Sequence, residues 1–262
     1  MLKAGPADSG TIARDWLGLD GATAVVADRV ALALLGADPR VSRLRDGRWA
    51  LANAAWSSPK LANCVFAVVD VETTGTSPRR GDRIVEIAVV TATTTTLELE
   101  FESLVNPERS VGAFTSALTQ ITDDMVRDQP TFGEIADDVM GVLAGRVFVA
   151  HNARFDWGFL AREMRLAKDL TLGGPRLCTL DLARRLIPGL KSRNLDSVAA
   201  YFGVEIDSRH RAAGDALATA RVLQRLIDLA RDRGAVTLED LDRRGAPPAR
   251  KRTALPHSVK ET

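Results

Sequence analysis

Several residue types that define whole classes of protein are scarce in this sequence. Its 262 residues include two cysteines, three histidines and one tyrosine. The two cysteines, Cys64 and Cys178, are too few for a disulfide framework, and they lack the spacing of a metal-binding motif. Both lie in apolar stretches, which is typical of small core residues in a reducing compartment. The composition therefore excludes a disulfide-rich secreted scaffold.

An excess of one charge is missing as well. The 35 basic and 34 acidic residues give a formal net charge of +1. Any binding of nucleic acid would therefore require local basic patches. Most of the basic residues are arginines, which favour bidentate contacts with carboxylates or phosphates. The hydrophobic content of 45% and the charged content of 26% are ordinary for a globular protein.

Long hydrophobic runs are absent too. The best apolar run is interrupted by Asp28 and Arg29 and falls short of the roughly 20 residues that span a bilayer. The first residues do not have the pattern of a signal peptide. We therefore expect a cytoplasmic protein without a membrane partner. Its length suits one large domain, or a medium domain with a small companion.

Residues 9–56 predict a small module of helices followed by a hairpin. Helical patterns cover 11–19 and 22–35, and Asp46-Gly47 is a two-residue hairpin signal. This order is typical of a winged-helix-like domain, in which arginines of the wing contact DNA phosphates. The arginines in question are Arg43, Arg45 and Arg48. A structural or protein-docking role is favoured over DNA contact, because one hairpin in about 45 residues is weak support.

Residues 61–233 predict a larger domain built on a sheet. One strand pattern ends at Asp70, and three more cover 83–92, 96–105 and 146–150. The first three of these four strands follow one another directly, whereas helical patterns precede and follow the fourth. This order predicts an α/β fold: a mixed sheet flanked by helices. Residues 234–262 are polar and basic, and we expect a disordered tail.

The most informative stretch is Phe66–Gly75, read as F-A-V-V-D-V-E-T-T-G. An apolar strand delivers Asp70 and Glu72 to one face, since alternate residues of a strand share a face. At about 4 Å and an effective dielectric near 20, two carboxylates repel each other by about 4 kcal/mol. A divalent metal ion between them would remove that cost, and oxygen ligands suit Mg²⁺ or Mn²⁺. On this stretch alone, a solvated loop explains the two acids equally well.

Two further segments place acids close to the scarce histidines. The first, H-N-A-R-F-D, holds His151 and Asp156 directly after a predicted buried strand. The second, H-R-A-A-G-D, holds His210 and Asp215 at the start of the last long helix. Helix capping alone explains an acid in a first helical turn. A single histidine is most often structural, but two of the three in the chain lie in these segments.

Taken in order, the three segments resemble the motifs of the DEDDh 3′→5′ exonuclease superfamily. This superfamily contains the proofreading epsilon subunit of bacterial replicative DNA polymerase, ribonuclease T and oligoribonuclease. The motifs are D-V-E-T-T-G, H-N-A-R-F-D and H-R-A-A-G-D, and the phrases L-V-N-P and F-T-S-A-L-T-Q-I-T match as well. The resemblance covers residues 64–233. It implies a ribonuclease-H-like fold in which the acids converge at one edge of the sheet.

The resemblance also implies a role for each matching residue. The ligands of two divalent ions, Mg²⁺ or Mn²⁺, would be Asp70, Glu72, Asp156 and Asp215. The general base would be His210, whose unperturbed pKa near 6.5 suits proton transfer at neutral pH. Two such ions provide a hydroxide nucleophile and relieve charge on the leaving oxygen. Contacts with the 3′-terminal nucleotide would come from Thr73, Thr74, Asn152 and Phe155.

Three positions qualify this interpretation. The sister subclass has a tyrosine four residues before the last acid; here that residue is Arg211 and the one tyrosine is Tyr201, which indicates the histidine subclass. The threonine run 91–96 lacks the glycine or asparagine expected at a hairpin turn. Glu86 is polar in an otherwise apolar strand, and the pattern gives it no role.

The sequence therefore predicts a metal-dependent 3′→5′ exonuclease acting on DNA, of the proofreading or repair type. Its partners would be a nucleic acid 3′ end, above all single-stranded DNA, and a DNA polymerase subunit. One alternative is a ribonuclease that trims RNA 3′ ends, which depends on how the pocket treats the 2′-hydroxyl group. Another is a non-catalytic, polymerase-associated binding module. The unsubstituted acids argue against it.

Overall fold

A computed structural model of the protein describes two compact units, Met1–Pro59 and Lys60–Thr262. The residues described are 7–36, 38, 41–43, 47–51 and 59–242. Among them, no helix has the length and apolarity needed to cross a membrane.

The first unit combines helical segments with a two-stranded antiparallel hairpin. Its elements are α1 (Ser9–Thr11, continued by a π-helix over Ile12–Trp16), α2 (Ala24–Leu35), β1 (Val41–Arg43) and β2 (Trp49–Leu51). A small core joins them, with Ile12, Ala31 and Trp49 buried. Thr23 begins α2 as an N-cap, because its side chain accepts the backbone N–H of Val26.

Arg43, one of the three arginines considered for a DNA-contacting wing, is engaged inside this unit. Its guanidinium group donates to Asp28 at 2.5 Å and lies 5.6 Å from the ring centroid of Trp49. These contacts support a structural role for this side chain. Arg45 and Asp46 lie outside the described residues, and the winged-helix interpretation of the module stays a prediction.

The second unit is organised by a five-stranded mixed sheet. Its strands are β3 (Phe66–Thr73), β4 (Ile84–Ala92), β5 (Leu97–Leu104), β6 (Val147–Ala150) and β7 (Arg176–Cys178), in the spatial order β5-β4-β3-β6-β7. Strands β3, β4 and β5 are antiparallel, whereas β6 and β7 run parallel to β3. The central strands are rich in valine because helices cover both faces. The predicted α/β class with a mixed sheet is confirmed.

The helices of this unit form two layers. They are α3 (Ala113–Thr119), α4 (Asp123–Val126), α5 (Phe132–Leu143), α6 (Arg154–Lys168), α7 (Thr179–Leu186), α8 (Leu195–Phe202), α9 (Ala212–Asp232) and α10 (Leu238–Asp242). One face of the sheet packs with α7, α8 and α9, and the other packs with α5 and α6. Adjacent residues of β3, Val68 and Val69, enter the two different cores.

The threonine run between β4 and β5 closes a turn by means of a side chain. Thr93 Oγ1 accepts the backbone N–H groups of Thr95 at 3.2 Å and Thr96 at 3.0 Å. The side chain of Gln224, on α9, donates to the carbonyl groups of Thr93 and Thr96. A hydroxyl cap thus replaces the glycine or asparagine that the pattern led us to expect.

Part of the stretch predicted to be a disordered tail from residue 234 forms a bridge and a short helix. Lys60 and Thr237 form an isolated antiparallel bridge, and α10 follows. Leu238 and Leu241 are 8% and 2% exposed and join the core that contains α9. Two leucines three residues apart give a five-residue helix a buried side, a pattern too short to stand out in a polar sequence. Residues 243–262 lie outside the described part of the chain.

Candidate active site

Strand β3 delivers Asp70 and Glu72 side by side. Because Val68 faces the core that contains α9, alternation along the strand puts both acids on that same face. In the antiparallel register with β4, Asp70 lies opposite Ala88 and Glu72 opposite Glu86. The register shifts directly after Glu72, so regular pairing ends at the acids. The predicted placement of two carboxylates at one strand end is observed.

Asp156 reaches the site from helix α6. It lies in the first turn of this helix and is 4% exposed. The strand β6 that precedes α6 pairs in parallel with β3, which brings the start of the helix to the end of β3 that carries the other acids. Burial is the largest cause and raises the pKa of this carboxyl, whereas the backbone N–H groups of Asp156 itself and of Val71, on β3, lower it.

His210 and Asp215 flank the start of helix α9. Asp215 is 3% exposed, and its Oδ2 accepts the backbone N–H of His210 at 3.2 Å. His210 has a left-handed backbone, with φ of 63°. Glu72, His210 and Asp215 each place a ligand atom within 4.8 Å of the others. Segments that lie more than a hundred residues apart in the sequence therefore meet in one cluster.

Asp215 has one oxygen that the described protein atoms leave unsatisfied. Its Oδ1 is buried, and no hydrogen-bond partner for it lies among the described residues. Such an atom is costly unless a bound group satisfies it. Carboxylate oxygens are the donors that Mg²⁺ and Mn²⁺ prefer. The residues present therefore fit a divalent cation.

The electrostatics of the cluster also favour a cation. Burial is the largest cause that raises the pKa of each of the four carboxyls. The pKa of Glu72 rises to about 7, with the charge of Asp215 as the next cause. The pKa of Asp156 also rises to about 7, despite its backbone hydrogen bonds. For Asp70 the charges of Asp156, Asp215 and Glu72 add to the effect of burial. A divalent ion would offset this repulsion.

The metal-free protein should lose stability as the pH rises through the ionisation of these acids. A carboxyl group whose folded pKa exceeds its unfolded value, about 4, stabilises the fold below that value. This contribution is lost as the pH rises through the folded pKa, which is about 7 for Glu72 and Asp156. In EDTA, the free energy of unfolding should therefore fall between about pH 4 and pH 7, and Mn²⁺ should remove the decline. Urea denaturation at several pH values, with and without Mn²⁺, measures this free energy. An equal fall of the free energy of unfolding with pH in both conditions would contradict the prediction.

His151, the other histidine close to an acid, is structural. Its Nδ1 pairs with Thr179 Oγ1 at 2.9 Å, and its Nε2 pairs with the carbonyl oxygen of Arg193 at 2.9 Å. Burial is the first cause that lowers the pKa of His151. A lowered histidine pKa gives stability that is lost as the pH falls below about 6.5, the opposite sign to the acids. The contribution of His151 to stability is the same with and without Mn²⁺, so it cancels when the two free energies of unfolding are compared.

Thr73 and Thr74, predicted to contact substrate, shape the turn after β3. The Thr73 hydroxyl donates to the carbonyl of Gly75 at 2.6 Å. The Thr73 carbonyl accepts the hydroxyl of Thr115, on helix α3, at 3.1 Å. Thr74 exchanges hydrogen bonds with the backbone of Arg83, through its own N–H at 2.9 Å and its hydroxyl oxygen at 3.0 Å. The turn therefore presents a fixed backbone directly after Glu72.

Asn152 and Phe155 lie between strand β6 and Asp156. Asn152 is exposed, and its backbone is left-handed with φ of 72°. Phe155 is half-buried and packs on Phe159, with 4.9 Å between ring centroids. The exposed amide of Asn152 and part of the Phe155 ring are therefore available to a ligand, whereas the rest of that ring belongs to the core.

The sequence pattern gave no role to Arg209, which holds the loop before α9. It pairs with Asp196 at 2.8 Å and with Asp215 Oδ2, and its Nη1 lies 3.2 Å from His210 Nδ1. Its guanidinium group thus occupies one oxygen of Asp215, while Oδ1 stays available for a metal ion. An arginine next to a motif histidine is the one signal for this role that the sequence offers.

Gly214 is a second residue whose role the pattern did not show. A Cβ atom there would lie 1.9 Å from the carbonyl oxygen of Asp207 and 2.8 Å from that of Ser208. The loop that carries His210 therefore packs on the first turn of α9 through space that a larger residue would fill.

Replacing Gly214 by alanine should displace this loop. We expect a loss of roughly 1–3 kcal/mol in stability, because backbone atoms must move, and at least about a tenfold loss of nuclease turnover. Thermal unfolding and turnover measure the two effects. Gly141→Ala in helix α5 is the matched control, since its Cβ would meet nothing within 4 Å. Full activity in Gly214→Ala would show that the loop position is unimportant.

Comparison with known proteins agrees with this geometry. Residues 67–223 match the RNase_T family, described as Exonuclease, and this match covers more than half of the chain and all the acids of the cluster. The chain belongs to this exonuclease family. The predictions of an exonuclease and of a ribonuclease-H-like fold are thus confirmed. Members of the DEDDh group use divalent metal ions, which agrees with the donor set described above.

Three curated relatives illustrate the similarity. The domain is 35% identical over 178 residues to the 3′-5′ exonuclease DinG of Bacillus subtilis, covering 68% of this chain and 19% of that protein. It is 38% identical over 159 residues to a PolC-type DNA polymerase III of Clostridium perfringens, covering 61% and 11%. It is 37% identical over 153 residues to the DNA polymerase III epsilon subunit of Treponema pallidum, covering 58% and 71%. The chain thus spans less than a fifth of the first two relatives.

Solved structures show the same fold. Exonuclease X in complex with 5′-overhanging duplex DNA is 28% identical, with a TM-score of 0.54, and the match covers 67% of this chain and 96% of that one. The nuclease domain of 3′hExo, a DEDDh family member bound to rAMP, is 22% identical, with a TM-score of 0.55 and coverages of 63% and 92%. Of these two structural relatives, one was determined with DNA and the other with a ribonucleotide.

Proposed function

We propose that the unit beginning at Lys60 is a metal-dependent 3′→5′ exonuclease that removes nucleotides from the 3′ end of DNA. The observation that carries this proposal is the meeting of Glu72, His210 and Asp215 within 4.8 Å, beside the unsatisfied Asp215 Oδ1. A buried carboxylate oxygen that the surrounding protein leaves without a partner is available to a bound cation.

The proposed ligands of two divalent ions, Mg²⁺ or Mn²⁺, are Asp70, Glu72, Asp156 and Asp215. Two such ions supply a hydroxide nucleophile and stabilise the charge on the leaving oxygen. Asp70 is the central acid, because the charges of the other three all raise its pKa. The raised pKa values mean that these side chains release protons when a cation binds.

His210 is the proposed general base. Its position in the same cluster as Glu72 and Asp215 puts an imidazole beside the place where a nucleophile would form. An imidazole that is neutral near pH 7 can take up one proton and later release it to solvent. The hydrogen bond from the His210 backbone to Asp215 holds the loop close to the acids.

The 3′-terminal nucleotide would bind at the turn after β3. The backbone of Thr73 and Thr74 follows Glu72 directly and is fixed by its hydrogen bonds to α3 and to Arg83. Helix α3 exposes Phe114 and Leu118, which are 79% and 45% exposed and lie one helical turn apart. Apolar side chains of this kind pack on nucleobases without selecting a sequence. Asn152 and the accessible part of Phe155 would complete the contacts.

DNA is the favoured polymer because of the relatives above 30% identity. Those include DNA polymerase III proteins, and Exonuclease X was determined with duplex DNA. A DNA polymerase subunit is the corresponding proposal for a protein partner. Single-stranded 3′ ends are favoured within DNA, since a paired terminal nucleotide must first leave its helix to reach buried acids.

A panel of 5′-labelled oligonucleotides tests the proposal. Single-stranded DNA, duplex DNA with paired or mismatched 3′ ends, and RNA are each incubated with Mg²⁺ or Mn²⁺. We expect a ladder that shortens from the 3′ end, fastest for single-stranded DNA and abolished by EDTA. Faster degradation of RNA would assign the domain to RNA 3′-end trimming instead. Binding that survives EDTA without any ladder would indicate a non-catalytic module.

A further inference from the structure

Glu86 is the buried acid of strand β4 to which the sequence pattern gave no role. We propose that Glu86 and Arg211 form a positioning pair, which fixes the His210 loop and the first turn of α9 against Glu72. This inference rests on the proposed function, because it concerns the geometry of the same site. Glu86 would be neither a metal ligand nor a catalytic residue.

Both oxygens of Glu86 are already occupied. The Nε of Arg211 lies 3.0 Å from Oε1 and 3.2 Å from Oε2, and its Nη2 lies 2.5 Å from Oε1. The backbone N–H of Ala212 donates to Oε2 at 2.8 Å. Glu86 is 1% exposed, whereas the Arg211 side chain is 37% exposed. A buried carboxylate with a bidentate arginine and a backbone donor is a fully satisfied group.

The register of the sheet explains why Glu86 resembles a further metal ligand. It lies directly opposite Glu72 in the pairing of β3 with β4, so both carboxylates occur at the same level of the sheet. Asp215 nevertheless keeps a buried oxygen without a partner among the described residues, whereas both oxygens of Glu86 have partners. The contacts with Arg211 and Ala212 account for that difference.

The pair contacts the chain directly after the loop that contains Ser208 and His210, whose backbone is strained. Arg211 follows His210 directly, and Ala212 is the first residue of α9. Ser208 and His210 both have left-handed φ angles, 54° and 63°, which residues other than glycine adopt at a cost. Tertiary contacts must therefore hold the loop. Glu86 provides one of them, with Arg211 at the end of the loop. Glu86 also accepts the backbone N–H of Ala212, which has no partner within α9, as a capping side chain would.

The pair also balances charge beside a proposed metal ligand. Glu86 lies opposite Glu72 in the register of β3 with β4, and Arg211 pairs with Glu86. Together the two side chains add no net charge at this place. If Glu86 alone loses its charge, the guanidinium group is left as an uncompensated cation near Glu72, where it competes with a divalent ion.

Three variants separate positioning from stability. In Glu86→Gln, Mn²⁺ affinity measured by calorimetry should fall at least tenfold, and kcat should fall with little change in KM. In Arg211→Met, kcat should fall by a similar factor while Mn²⁺ affinity does not weaken, because the competing cation is gone. The double variant should recover Mn²⁺ affinity to within about threefold of the unmodified protein and keep the low kcat. Asp181→Asn, which breaks an exposed pair with Arg184, is the control and should change neither quantity.

A second substitution covers the case in which Glu86→Gln does not fold. Arg211→Lys keeps the charge at a partly exposed position but loses the bidentate fork, so it should fold and retain Mn²⁺ affinity. Its kcat should lie between those of the unmodified protein and Arg211→Met. If Arg211→Lys and Arg211→Met both keep kcat within twofold, or if folded Glu86→Gln keeps both quantities, the pair has no positioning role.

The outcomes for this pair and for the proposed function are distinguishable. If the unmodified protein degrades no oligonucleotide of the panel, the proposed function fails, and the Mn²⁺ affinities still decide the charge-balancing role of the pair. If the unmodified protein is active and the variants match it in kcat and Mn²⁺ affinity, the pair fails and the proposed function stands.

Discussion

Replacing Asp70 by asparagine should lower nuclease turnover by at least about a thousandfold, because the proposed central ligand of the two ions loses its charge. The metal-free variant should nevertheless unfold at a higher temperature than the metal-free unmodified protein. Asp70 has a pKa raised first by burial and then by Asp156, Asp215 and Glu72, so its charge opposes folding when no cation is present. Activity and stability should thus change in opposite directions.

Single-turnover release from a 5′-labelled oligonucleotide, together with thermal unfolding in EDTA, measures both effects. Asp137→Asn is a suitable control, since this acid is exposed on helix α5 and pairs with Lys168. It should leave turnover unchanged. Lower stability of metal-free Asp70→Asn would mean that its carboxylate is held by protein contacts, and retained turnover would remove it from the site.

Replacing His210 by glutamine should lower kcat by about a hundredfold to ten-thousandfold, the range that a positioned general base contributes. The variant should keep its Mn²⁺ affinity within a few-fold, because the four carboxylates are intact. The dependence of kcat on pH should also change, because the group proposed to accept the proton is gone.

His151→Gln provides a histidine control for this experiment. Both ring nitrogens of His151 are used in contacts with Thr179 and Arg193, so this substitution should lower the free energy of unfolding and leave the pH profile of kcat unchanged. If His151→Gln rather than His210→Gln changes the pH profile, the assignment of the base is wrong.

The local sequence pattern was sufficient to predict that Asp70 and Glu72 lie on one face of a strand. Alternation along β3 put Asp70 and Glu72 on one face, and the structure shows Val68, on the same face, in the core that contains α9. The meeting of these acids with Asp156 and Asp215 required the resemblance to known motifs. Periodicity describes one element at a time and carries no information on contacts across 145 residues.

The roles of Glu86 and Gly214 could not be predicted, because each depends on contacts with residues elsewhere in the fold. Glu86 was visible as a polar residue in an apolar strand, but its partner Arg211 lies 125 residues away. Gly214 gave no signal, because the need for a glycine comes from the carbonyl groups of a neighbouring loop rather than from its own turn. Leu238 and Leu241 were missed for a simpler reason: two apolar residues in a polar stretch are indistinguishable from a tail until their contacts are known.

The four acids are proposed to form a binding site for two divalent ions. Titration of the metal-free protein with Mn²⁺, followed by electron paramagnetic resonance, tests it without a substrate. We expect two Mn²⁺ per chain with a spin-coupled spectrum, and loss of the coupling in Asp70→Asn. Binding of Mn²⁺ that is equal in the unmodified protein and in Asp70→Asn, or no binding above background in either, would show that the four acids do not form this site.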